Sequence, residues 1–361
     1  MQQKIVLSGY YGFKNAGDDA VCYAIIEALR EKMPHCDITV LSNEPERTEE
    51  AYHVKAVNRW KWREVWRALR KSDLLISGGG SLIQDVTSKN SCLYYLGVIM
   101  MSVFSRTPVV VYGQGLGPIN EKRNRRLTKM VFNRTRAIFV RDEESRTLLR
   151  ELGVKRPVQV APDPVLGIDN SVVNRARGLE ILTKLGYDNN RPLALVCLRD
   201  WKKSDKVHDF ALMGDILYKA GYEVGFLAMH HEQDELIAQA VSAHMHSPSF
   251  MISDHYNTKD LFSIFACSEL VVGMRLHALI IGAALERRIM AVSYDPKVDS
   301  FMKMVHNPNI VALGDVSGER LTEAVNDCMA TEKHEAQHRL RTLKRLSRTP
   351  ANECVEILTN N

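Results

Sequence analysis

Arg275 and His277 are the residues whose types and spacing point most directly to chemistry. An apolar strand pattern at residues 270–274 passes directly into an apolar helix pattern, so both side chains are expected at the carboxyl edge of a parallel sheet, where such sheets bind ligands. The planar fork of arginine suits a carboxylate or a phosphate. A histidine in the first turn of a helix favours the neutral imidazole that general-base work requires. We predict that both residues are catalytic, with a buried, hydrogen-bonded structural histidine as the alternative.

Three further cations occupy comparable positions. Arg141 and Arg199 each follow a strand pattern, and Lys297 lies just beyond another one, in the first turn of the next helix pattern. Cations at strand ends suit a small anionic ligand. We therefore predict that all three bind the same anionic molecule. An ion pair with a neighbouring acid is the alternative for Arg141, and a solvated surface side chain is the alternative for Lys297.

Glycine-rich turns follow two strand patterns in the first half of the chain, at residues 8–19 and 77–85. Glycine allows a tight turn and a close approach of the backbone to a ligand. The spacing differs from G-x-G-x-x-G, so the dinucleotide-binding fingerprint is absent. We predict that these turns bind a sugar. The residues assigned to that role are Tyr11, Phe13, Gly79, Gly80, Ser81 and Asp85.

The same turns have a structural alternative. Both aromatic rings could pack beneath the first turn, Asp18 could serve only as a charge at a helix N-terminus, and the glycine run could be a flexible turn.

Positioning these residues requires strands that alternate with helices. Short runs rich in valine and isoleucine, typical of strands buried on both faces, alternate with longer amphipathic stretches. These runs lie at residues 5–9, 38–41, 74–77, 109–113, 138–140, 158–161, 193–198, 224–229, 270–274 and 289–293. The length of 361 residues, with 45% apolar side chains, exceeds one typical core.

We therefore predict an α/β protein with two doubly wound parallel-sheet domains of Rossmann-like type. The boundaries are residues 1–167 and 168–361, and the two domains are expected to face each other across a cleft. A C-terminal helix after Pro350 could cross back to the first domain.

The composition indicates which kinds of partner and which cellular compartment to expect. The 48 Lys and Arg residues against 43 Asp and Glu residues give a formal charge of +5, which suits small anions or an anionic membrane surface and is too weak to indicate nucleic acid. The seven scattered cysteines lack a C-x-x-C spacing, so neither a disulfide framework nor a zinc site is expected. With no charged leader and no apolar run of membrane-spanning length, the chain is predicted to be cytoplasmic, either soluble or peripheral at the inner face of the membrane.

The segment 59–71 combines three tryptophans with a series of basic residues. A basic helix that carries tryptophan can lie on an anionic bilayer. We predict a peripheral membrane contact through this segment, with tryptophan packing beneath an ordinary solvated helix as the alternative.

Short motifs occur in order along nearly the whole chain. They are Gly9-Tyr10-Tyr11-Gly12-Phe13 with Gly17-Asp18, Ser77-Gly78-Gly79-Gly80-Ser81, Gln114-Gly115-Leu116-Gly117-Pro118, Val140-Arg141-Asp142 and Arg275-Leu276-His277, supported by Asn58-Arg59-Trp60 and Tyr94-Tyr95. Together they resemble the polysaccharide pyruvyl transferase family, and most closely its CsaB-type members from Gram-positive bacteria. The ordered set is much more specific than any single glycine turn.

The resemblance implies a fold like that of GT-B glycosyltransferases, with phosphoenolpyruvate as the donor. It implies, as the acceptor, a β-linked N-acetylmannosamine in a lipid-pyrophosphate-linked disaccharide, an intermediate of secondary cell wall polymer assembly. The product would be a 4,6-linked pyruvyl ketal that retains surface-layer proteins on the wall. Phosphoenolpyruvate is then a co-substrate, and no cofactor or metal is required.

The chemistry of this donor, which carries a carboxylate and a phosphate, then assigns the roles. Arg275 and His277 are expected to act in catalysis, with His277 as the acid/base. We expect Arg141, Arg199 and Lys297 to bind the donor. We expect the residues assigned to the two glycine-rich turns to bind the acceptor.

Two rival functions are compatible with the same domain plan. A GT-B glycosyltransferase that uses a nucleotide sugar would have the same two domains, and a non-catalytic carbohydrate-binding protein could be built on the same fold. Thermal stabilisation by phosphoenolpyruvate but not by uridine nucleotides would favour pyruvyl transfer. The presence of both Arg275 and His277 argues against the non-catalytic alternative.

Overall fold

The computed structural model describes residues 2–86, 89–199, 206–330 and 333–360. The described residues form two compact units. The first comprises the chain up to Ile168 together with the residues from Leu343 onward, and the second comprises Asp169–Thr342. The last helix of the chain therefore belongs to the unit with which the chain begins.

Seven strands form the parallel sheet of the first unit. They are β1 (Lys4–Tyr11), β2 (Asp37–Ser42), β3 (Lys55–Asn58), β4 (Leu74–Gly78), β5 (Val109–Gln114), β6 (Ala137–Val140) and β7 (Val158–Val160). Their order across the sheet is β3-β2-β1-β4-β5-β6-β7. Every residue of β4 and β5 is buried, because helices cover both faces of the sheet. This burial explains why the two strands are continuous apolar runs in the sequence.

Six helices follow these strands before the second unit begins. They are α1 (Ala16–Lys32), α2 (Pro45–Tyr52), α3 (Trp62–Arg70), α4 (Lys89–Phe104), α5 (Lys122–Phe132) and α6 (Glu143–Glu151). Helix α1 begins at a true cap, since the side chain of Asn15 accepts a hydrogen bond from the N–H of Gly17 at 3.0 Å.

The second unit repeats the plan with six parallel strands. They are β8 (Leu193–Cys197), β9 (Glu223–Leu227), β10 (Ser249–Ile252), β11 (Ser268–Gly273), β12 (Arg288–Ser293) and β13 (Ile310–Ala312). Their order is β10-β9-β8-β11-β12-β13. The hydrogen-bonded register pairs Gly273 at the end of β11 with Cys197 at the end of β8. The residues that follow these two strands therefore leave the sheet side by side.

The helices of the second unit precede and follow its strands. They are α7 (Arg175–Lys184), α8 (Val207–Lys219), α9 (His231–His244), α10 (Thr258–Cys267), α11 (Leu276–Ala284), α12 (Pro296–Met304) and α13 (Gly318–Ala330). Helix α14 (Lys333–Ser347) contains the point at which the second unit ends, and α15 (Thr349–Thr359) packs against α1 and β5 in the first unit. Within the described ranges, no helix is both long enough and apolar enough to span a bilayer.

The predicted fold class is confirmed, since both units are α/β with doubly wound parallel sheets. The sequence patterns missed β3, β10 and β13, which are short edge strands. Each is partly exposed, so each lacks the continuous apolar run of a central strand. The stretch at residues 205–220, one of the longer amphipathic stretches that alternate with the predicted strands, starts outside the described residues and forms a helix from Val207.

Each sheet has one point at which the strand order reverses. In the first sheet the reversal lies between β1 and β4, and in the second it lies between β8 and β11. Connections leave the two strands toward opposite faces at such a point, which opens a crevice at the carboxyl edge. The glycine-rich turns follow β1 and β4, and Arg199 and Arg275 follow β8 and β11, so both groups of predicted site residues lie beside a reversal.

Candidate active site

The carboxyl edge of the second sheet gathers three cations and a histidine from three neighbouring strands. Arg199 follows β8, Arg275 and His277 follow β11, and Lys297 follows β12. His277 is the second residue of α11 and Lys297 is the second residue of α12, so both lie at helix N-termini, where backbone N–H groups favour anions. The predicted positions at strand ends are those observed, while the roles of the side chains stay predictions.

Arg275 is held by a buried carboxylate from a distant segment of the chain. Asp234 on α9 has a side chain only 1% exposed, and it accepts hydrogen bonds from Nε of Arg275 at 2.9 Å and from Nη2. Asp234 also accepts a hydrogen bond from the backbone N–H of His230 at 2.9 Å. Two of the five N–H donors of Arg275 are thereby used, and the fork is fixed in one orientation. Among the described residues, the Nη1 group of Arg275 has no other acceptor, so it can serve a ligand.

Arg199 is positioned by a tyrosine from the neighbouring strand end. Its Nη1 donates a hydrogen bond to the hydroxyl of Tyr294 at 2.5 Å, and its guanidinium carbon lies 5.2 Å from the centre of the Tyr294 ring. Tyr294 follows β12, and Arg199 follows β8, so this contact spans the width of β11. The contact holds the guanidinium group of Arg199 beside the end of β12, which precedes Lys297.

Cys197 is buried at the end of β8, close to the Arg275–Asp234 pair. Burial raises the pKa of its thiol well above the ordinary value, the charge of Asp234 raises it further, and Arg275 offsets only part of this effect. The thiol is therefore neutral at physiological pH. It is not suited to be a nucleophile.

In the first unit, two glycines let the turn after β4 pass close to α1. Gly79 and Gly80 have φ values of +63° and +66°, in the left-handed region that favours glycine. A Cβ at Gly80 would lie 2.9 Å from Oδ1 of Asp18. The backbone of this turn therefore passes close to the start of α1, and sugar binding by Gly79 and Gly80 stays a prediction.

Gly79→Ala is expected to lower the free energy of unfolding by about 2–4 kcal/mol. Alanine would be strained at this φ, and its Cβ would overlap Cγ1 of Val21. Urea unfolding measures the effect. Gly97→Ala in α4 is the matched control, because a Cβ there meets no atom within 4 Å and alanine favours helices, so the control is expected to be neutral or stabilising. Similar stabilities for both variants would show that the turn after β4 can relax.

Ser81 is oriented by a buried arginine. Nη2 of Arg141 lies 3.3 Å from Oγ of Ser81, and a Cβ at Gly115 would lie 2.6 Å from the same nitrogen. The Arg141 guanidinium also lies 3.5 Å from Asp163 and 3.6 Å from Asp142, with a side chain only 6% exposed. The ion-pair alternative describes these contacts. Donor binding by Arg141 stays a prediction.

Two predicted sugar-binding residues have structural roles instead. Tyr11 is 1% exposed, and its hydroxyl donates a hydrogen bond to the carbonyl of Gly78 at 2.8 Å, so its ring lies beneath the turn and joins the ends of β1 and β4. The prediction that this ring offers a face to a sugar is wrong. Asp85 is 8% exposed, and its carboxylate accepts hydrogen bonds from the N–H groups of Asn120 and Glu121 at 2.8 and 2.9 Å. The carboxylate of Asp85 thus holds the start of α5, contrary to its predicted sugar-binding role.

Tyr10 is the residue that the aromatic prediction missed. Its ring stacks on Phe13 with centres 4.1 Å apart and an interplanar angle of 9°, and Tyr10 is 36% exposed. Because side chains alternate along a strand, the exposed and buried tyrosines at the end of β1 could not both face a ligand. Phe13 is partly buried, so the pair Tyr10 and Phe13 forms an accessible aromatic surface beside the turn.

Arg59 supports this aromatic pair from beneath. Arg59 is 3% exposed, its Nη1 donates to the carbonyl of Gly9 at 2.8 Å, and its Nη2 lies 3.2 Å from the hydroxyl of Tyr95. Its guanidinium carbon lies 5.0 Å from the centre of the Phe13 ring and 4.2 Å from that of Tyr94. The signal that could have identified this role was the motif around residues 58–60 and 94–95.

The tryptophans of the segment 59–71 are only partly buried. Trp60 is 53% exposed and Trp62 is 45% exposed, and each ring centre lies 5.4 Å from that of Tyr94. Helix α3 is anchored by the buried side chains of Val65 and Leu69. The rings of Trp60 and Trp62 thus pack against Tyr94 and are at the same time partly exposed. Membrane contact through this segment stays a prediction.

Asp19→Asn is expected to change how stability depends on pH. Burial, opposed by Arg47 and reinforced by Asp18 and Glu44, raises the pKa of Asp19 from 3.8 to about 7. The folded state therefore binds the extra proton, and the stability that it contributes is complete below pH 3.8 and is lost as the pH rises through 7. The asparagine variant, which cannot ionise, should gain Tm relative to wild type between pH 5 and pH 8.

The control for Asp19 is Asp315→Asn, which removes an exposed carboxylate. Its Tm difference from wild type should be the same at both pH values. A constant difference for Asp19→Asn as well would contradict the raised pKa.

Metal binding has no candidate among the described residues, since they contain no cluster of three or more His, Cys, Asp or Glu side chains that could hold an ion.

Similarities to known proteins extend over most of the chain. The family model for polysaccharide pyruvyl transferase matches residues 15–296. The chain is also similar to the amylovoran biosynthesis protein AmsJ of Erwinia amylovora, with 21% identity over 374 residues that cover 86% of this chain and 88% of AmsJ.

Solved structures share the fold. HepE of Anabaena in complex with UDP superposes with a TM-score of 0.64 at 14% identity, covering 100% of both chains. The UDP-GlcNAc 2-epimerase from Neisseria meningitidis, bound to UDP-GlcNAc, superposes with a TM-score of 0.60 at 13% identity, covering 99% of this chain and 100% of the epimerase. At such identities the likeness shows the fold, which is of the GT-B type.

Proposed function

Because the chain belongs to the polysaccharide pyruvyl transferase family, we propose that it moves the enolpyruvyl unit of phosphoenolpyruvate onto a sugar and releases inorganic phosphate. The observation that carries the donor assignment is the group of cations at the carboxyl edge of the second sheet. Phosphoenolpyruvate brings a carboxylate and a phosphate, so its site needs several cations and oriented N–H donors. The residues proposed to bind and activate it are Arg199, Lys297, Arg275 and His277.

The reaction forms a ketal, and its protons balance without a further reactant. Two sugar hydroxyls add to the central carbon of the enol, and the C–O bond to phosphate breaks. One hydroxyl proton ends on the terminal carbon, which becomes a methyl group, and the other leaves with the phosphate. The enzyme must therefore move two protons and stabilise the charge that develops on phosphate.

Arg275 is suited to the anionic part of the donor because its fork is preorganised. The ion pair with Asp234 fixes the guanidinium plane before the ligand arrives, so little side-chain entropy is lost on binding. The N-termini of α11 and α12 add backbone N–H donors beside it. These groups would hold the carboxylate and phosphate while the central carbon reacts.

His277 is proposed to move the protons. It lies two residues beyond Arg275 in the first turn of α11 and is partly buried, so it is close to the anion site without being sealed from it. An imidazole can accept the proton of an attacking hydroxyl and return it to the terminal carbon or the leaving phosphate.

Acceptor binding is assigned to the carboxyl edge of the first sheet. The stacked rings of Tyr10 and Phe13 offer an apolar face, which suits the C–H face of a sugar ring. Ser81, oriented by Arg141, offers a hydroxyl to the sugar's own hydroxyl groups.

At the finest level, we propose a CsaB-type activity. The acceptor is a β-linked N-acetylmannosamine of a lipid-pyrophosphate-linked disaccharide in secondary cell wall polymer assembly, and the product is its 4,6-ketal. The support for this level is the ordered motif set from residue 9 to residue 277. A lipid-linked acceptor would be met at the inner face of the cell membrane, where the segment 59–71 is proposed to make contact.

The deciding experiment incubates the full chain with phosphoenolpyruvate and a short lipid-like N-acetylmannosaminyl disaccharide. We expect one phosphate released per acceptor consumed and a gain in acceptor mass equal to one pyruvyl ketal. Phosphate release without a change in acceptor mass would indicate hydrolysis and would contradict transfer. A panel of acceptors with one blocked hydroxyl reports which two positions form the ketal.

The nucleotide-sugar alternative has its own outcome in the same preparation. Thermal stabilisation by phosphoenolpyruvate and none by uridine nucleotides is expected for pyruvyl transfer. Stabilisation by uridine nucleotides alone would favour a glycosyltransferase.

A further inference from the structure

A second group of basic residues lies in the first unit, at the amino ends of the strands of its sheet. The glycine-rich turns lie at the carboxyl ends of strands in the same sheet. Residues that precede β1, β4, β5, β6 and β7 line a cavity of about 890 Å³. The glycine-rich turns follow β1 and β4, so at least the length of the five-residue strand β4, roughly 16 Å, separates them from this cavity. The cavity is lined by five arginines, namely Arg70, Arg106, Arg134, Arg136 and Arg156.

The arginines are poorly neutralised. The cavity contains one carboxylate, Asp73, whose Oδ2 accepts a hydrogen bond from the N–H of Lys4 at 2.8 Å. Within the described part of the chain, the guanidinium groups of Arg70, Arg106 and Arg136 make no hydrogen bond or ion pair. Five like charges around one cavity repel each other, so an anion bound there would be attracted by all of them.

Arg106 gives a second, independent indication. It follows α4 with a φ of +61°, in the left-handed region where helices usually end on glycine. An arginine in this conformation carries a conformational cost that glycine would avoid. The cost is understandable if the guanidinium is needed in the cavity.

We propose that this cavity binds a molecule with more than one phosphate group, at a site separate from the donor site. A guanidinium group can donate two parallel hydrogen bonds to two oxygens of one phosphate. Several guanidinium groups from different segments of the chain line this cavity. The volume exceeds that of a single phosphate and lies in the range of small-ligand sites. The phosphates could belong to a soluble diphosphate or to the head groups of an anionic lipid surface.

The test titrates inorganic pyrophosphate into the full chain by calorimetry at low salt. Arg106→Gly and Arg136→Gln should each weaken binding about tenfold, since each removes a charge-assisted hydrogen bond of roughly 1.5 kcal/mol or more. Arg123→Gln is the matched control, because it removes an exposed charge on α5 of the same unit that does not line the cavity. The control should change Kd less than twofold.

Two further readouts separate this site from folding and from the donor site. Arg106→Gly should keep or raise Tm, because glycine relieves the backbone strain, so weaker binding in that variant cannot come from unfolding. Pyrophosphate binding should persist in Lys297→Gln, which removes a cation of the proposed donor site. If instead Lys297→Gln abolishes binding and the cavity variants do not, the pyrophosphate occupies the donor site and the proposal is overturned.

Vesicle sedimentation distinguishes the two sources of phosphate. Retention on vesicles of phosphatidylglycerol, but not of phosphatidylcholine, that is lost in Arg136→Gln and kept in Arg123→Gln would assign the cavity to lipid head groups. Pyrophosphate binding without vesicle retention would assign it to a soluble ligand. The proposal fails if neither probe binds, or if Arg123→Gln weakens binding as much as the cavity variants do.

Discussion

His277→Ala is expected to lower the rate of phosphate release from phosphoenolpyruvate in the presence of acceptor by about 10²- to 10⁴-fold. Loss of a general acid/base has an effect of this size, and both proton transfers of the proposed reaction depend on the imidazole. The change should fall on kcat more than on KM for phosphoenolpyruvate, because Arg275 and the helix N-termini remain. Stopped assays of released phosphate, with acceptor saturating, measure both constants.

His277→Gln and His244→Ala are the companions of this variant. Glutamine keeps hydrogen-bonding groups but cannot shuttle a proton, so it should be as slow as alanine. His244 is exposed on α9, and its removal should leave the rate unchanged. Turnover near the wild-type rate in a folded His277→Ala protein would exclude His277 from proton transfer.

Arg275→Met is expected to impair both folding and donor binding. Asp234 is buried, and without Arg275 its carboxylate keeps only the N–H of His230, so the free energy of unfolding should fall by about 3–5 kcal/mol. A simple loss of activity in this variant would therefore not show that Arg275 binds the donor. Urea unfolding and steady-state kinetics must be measured on the same preparation.

The double variant Arg275→Met with Asp234→Asn separates the two effects. Asparagine can still accept from His230 and carries no charge, so the double variant should recover part of the lost stability, about 1–2 kcal/mol. Activity should remain low, because the donor has lost a cation. Recovery of activity together with stability would contradict donor binding by Arg275 and leave it a structural partner of Asp234.

Asp234→Asn alone tests the positioning role. The cation stays, but its orientation is no longer fixed by a charged pair. We expect a raised KM for phosphoenolpyruvate with a smaller change in kcat, whereas a purely structural effect would lower the amount of active protein without changing KM.

Local pattern was sufficient for the central parts of both sheets. Strands such as β4 and β5 are buried on both faces, and burial on both faces requires a continuous apolar run that is visible in the sequence. The start of α1 and the strand ends that carry Arg275 and His277 were predictable for a similar reason, since each depends on neighbours in the chain. The family resemblance then supplied the reaction, which no composition or spacing contains.

Side-chain partners were not predictable, because they come from distant segments. Asp234 lies 41 residues from Arg275, and Tyr294 lies 95 residues from Arg199. The exchange of roles between Tyr10 and Tyr11 depends on how the end of β1 meets Gly78, 67 residues away from Tyr11. No local rule distinguishes two adjacent tyrosines until that contact is known.

The positive charge of the protein also has one property that the sequence determines and another that the fold determines. Residue types alone give a net +5 and its compatibility with anions, because charge is a property of composition. The location of the cations depends on the fold: strand order brings Arg199, Arg275 and Lys297 to one edge of the second sheet, and chain packing brings five arginines around a cavity in the first unit. Composition and local pattern therefore establish the sheets and the surplus of charge, whereas contacts between remote segments establish where that charge can bind a ligand, since only folding brings such segments within hydrogen-bonding distance.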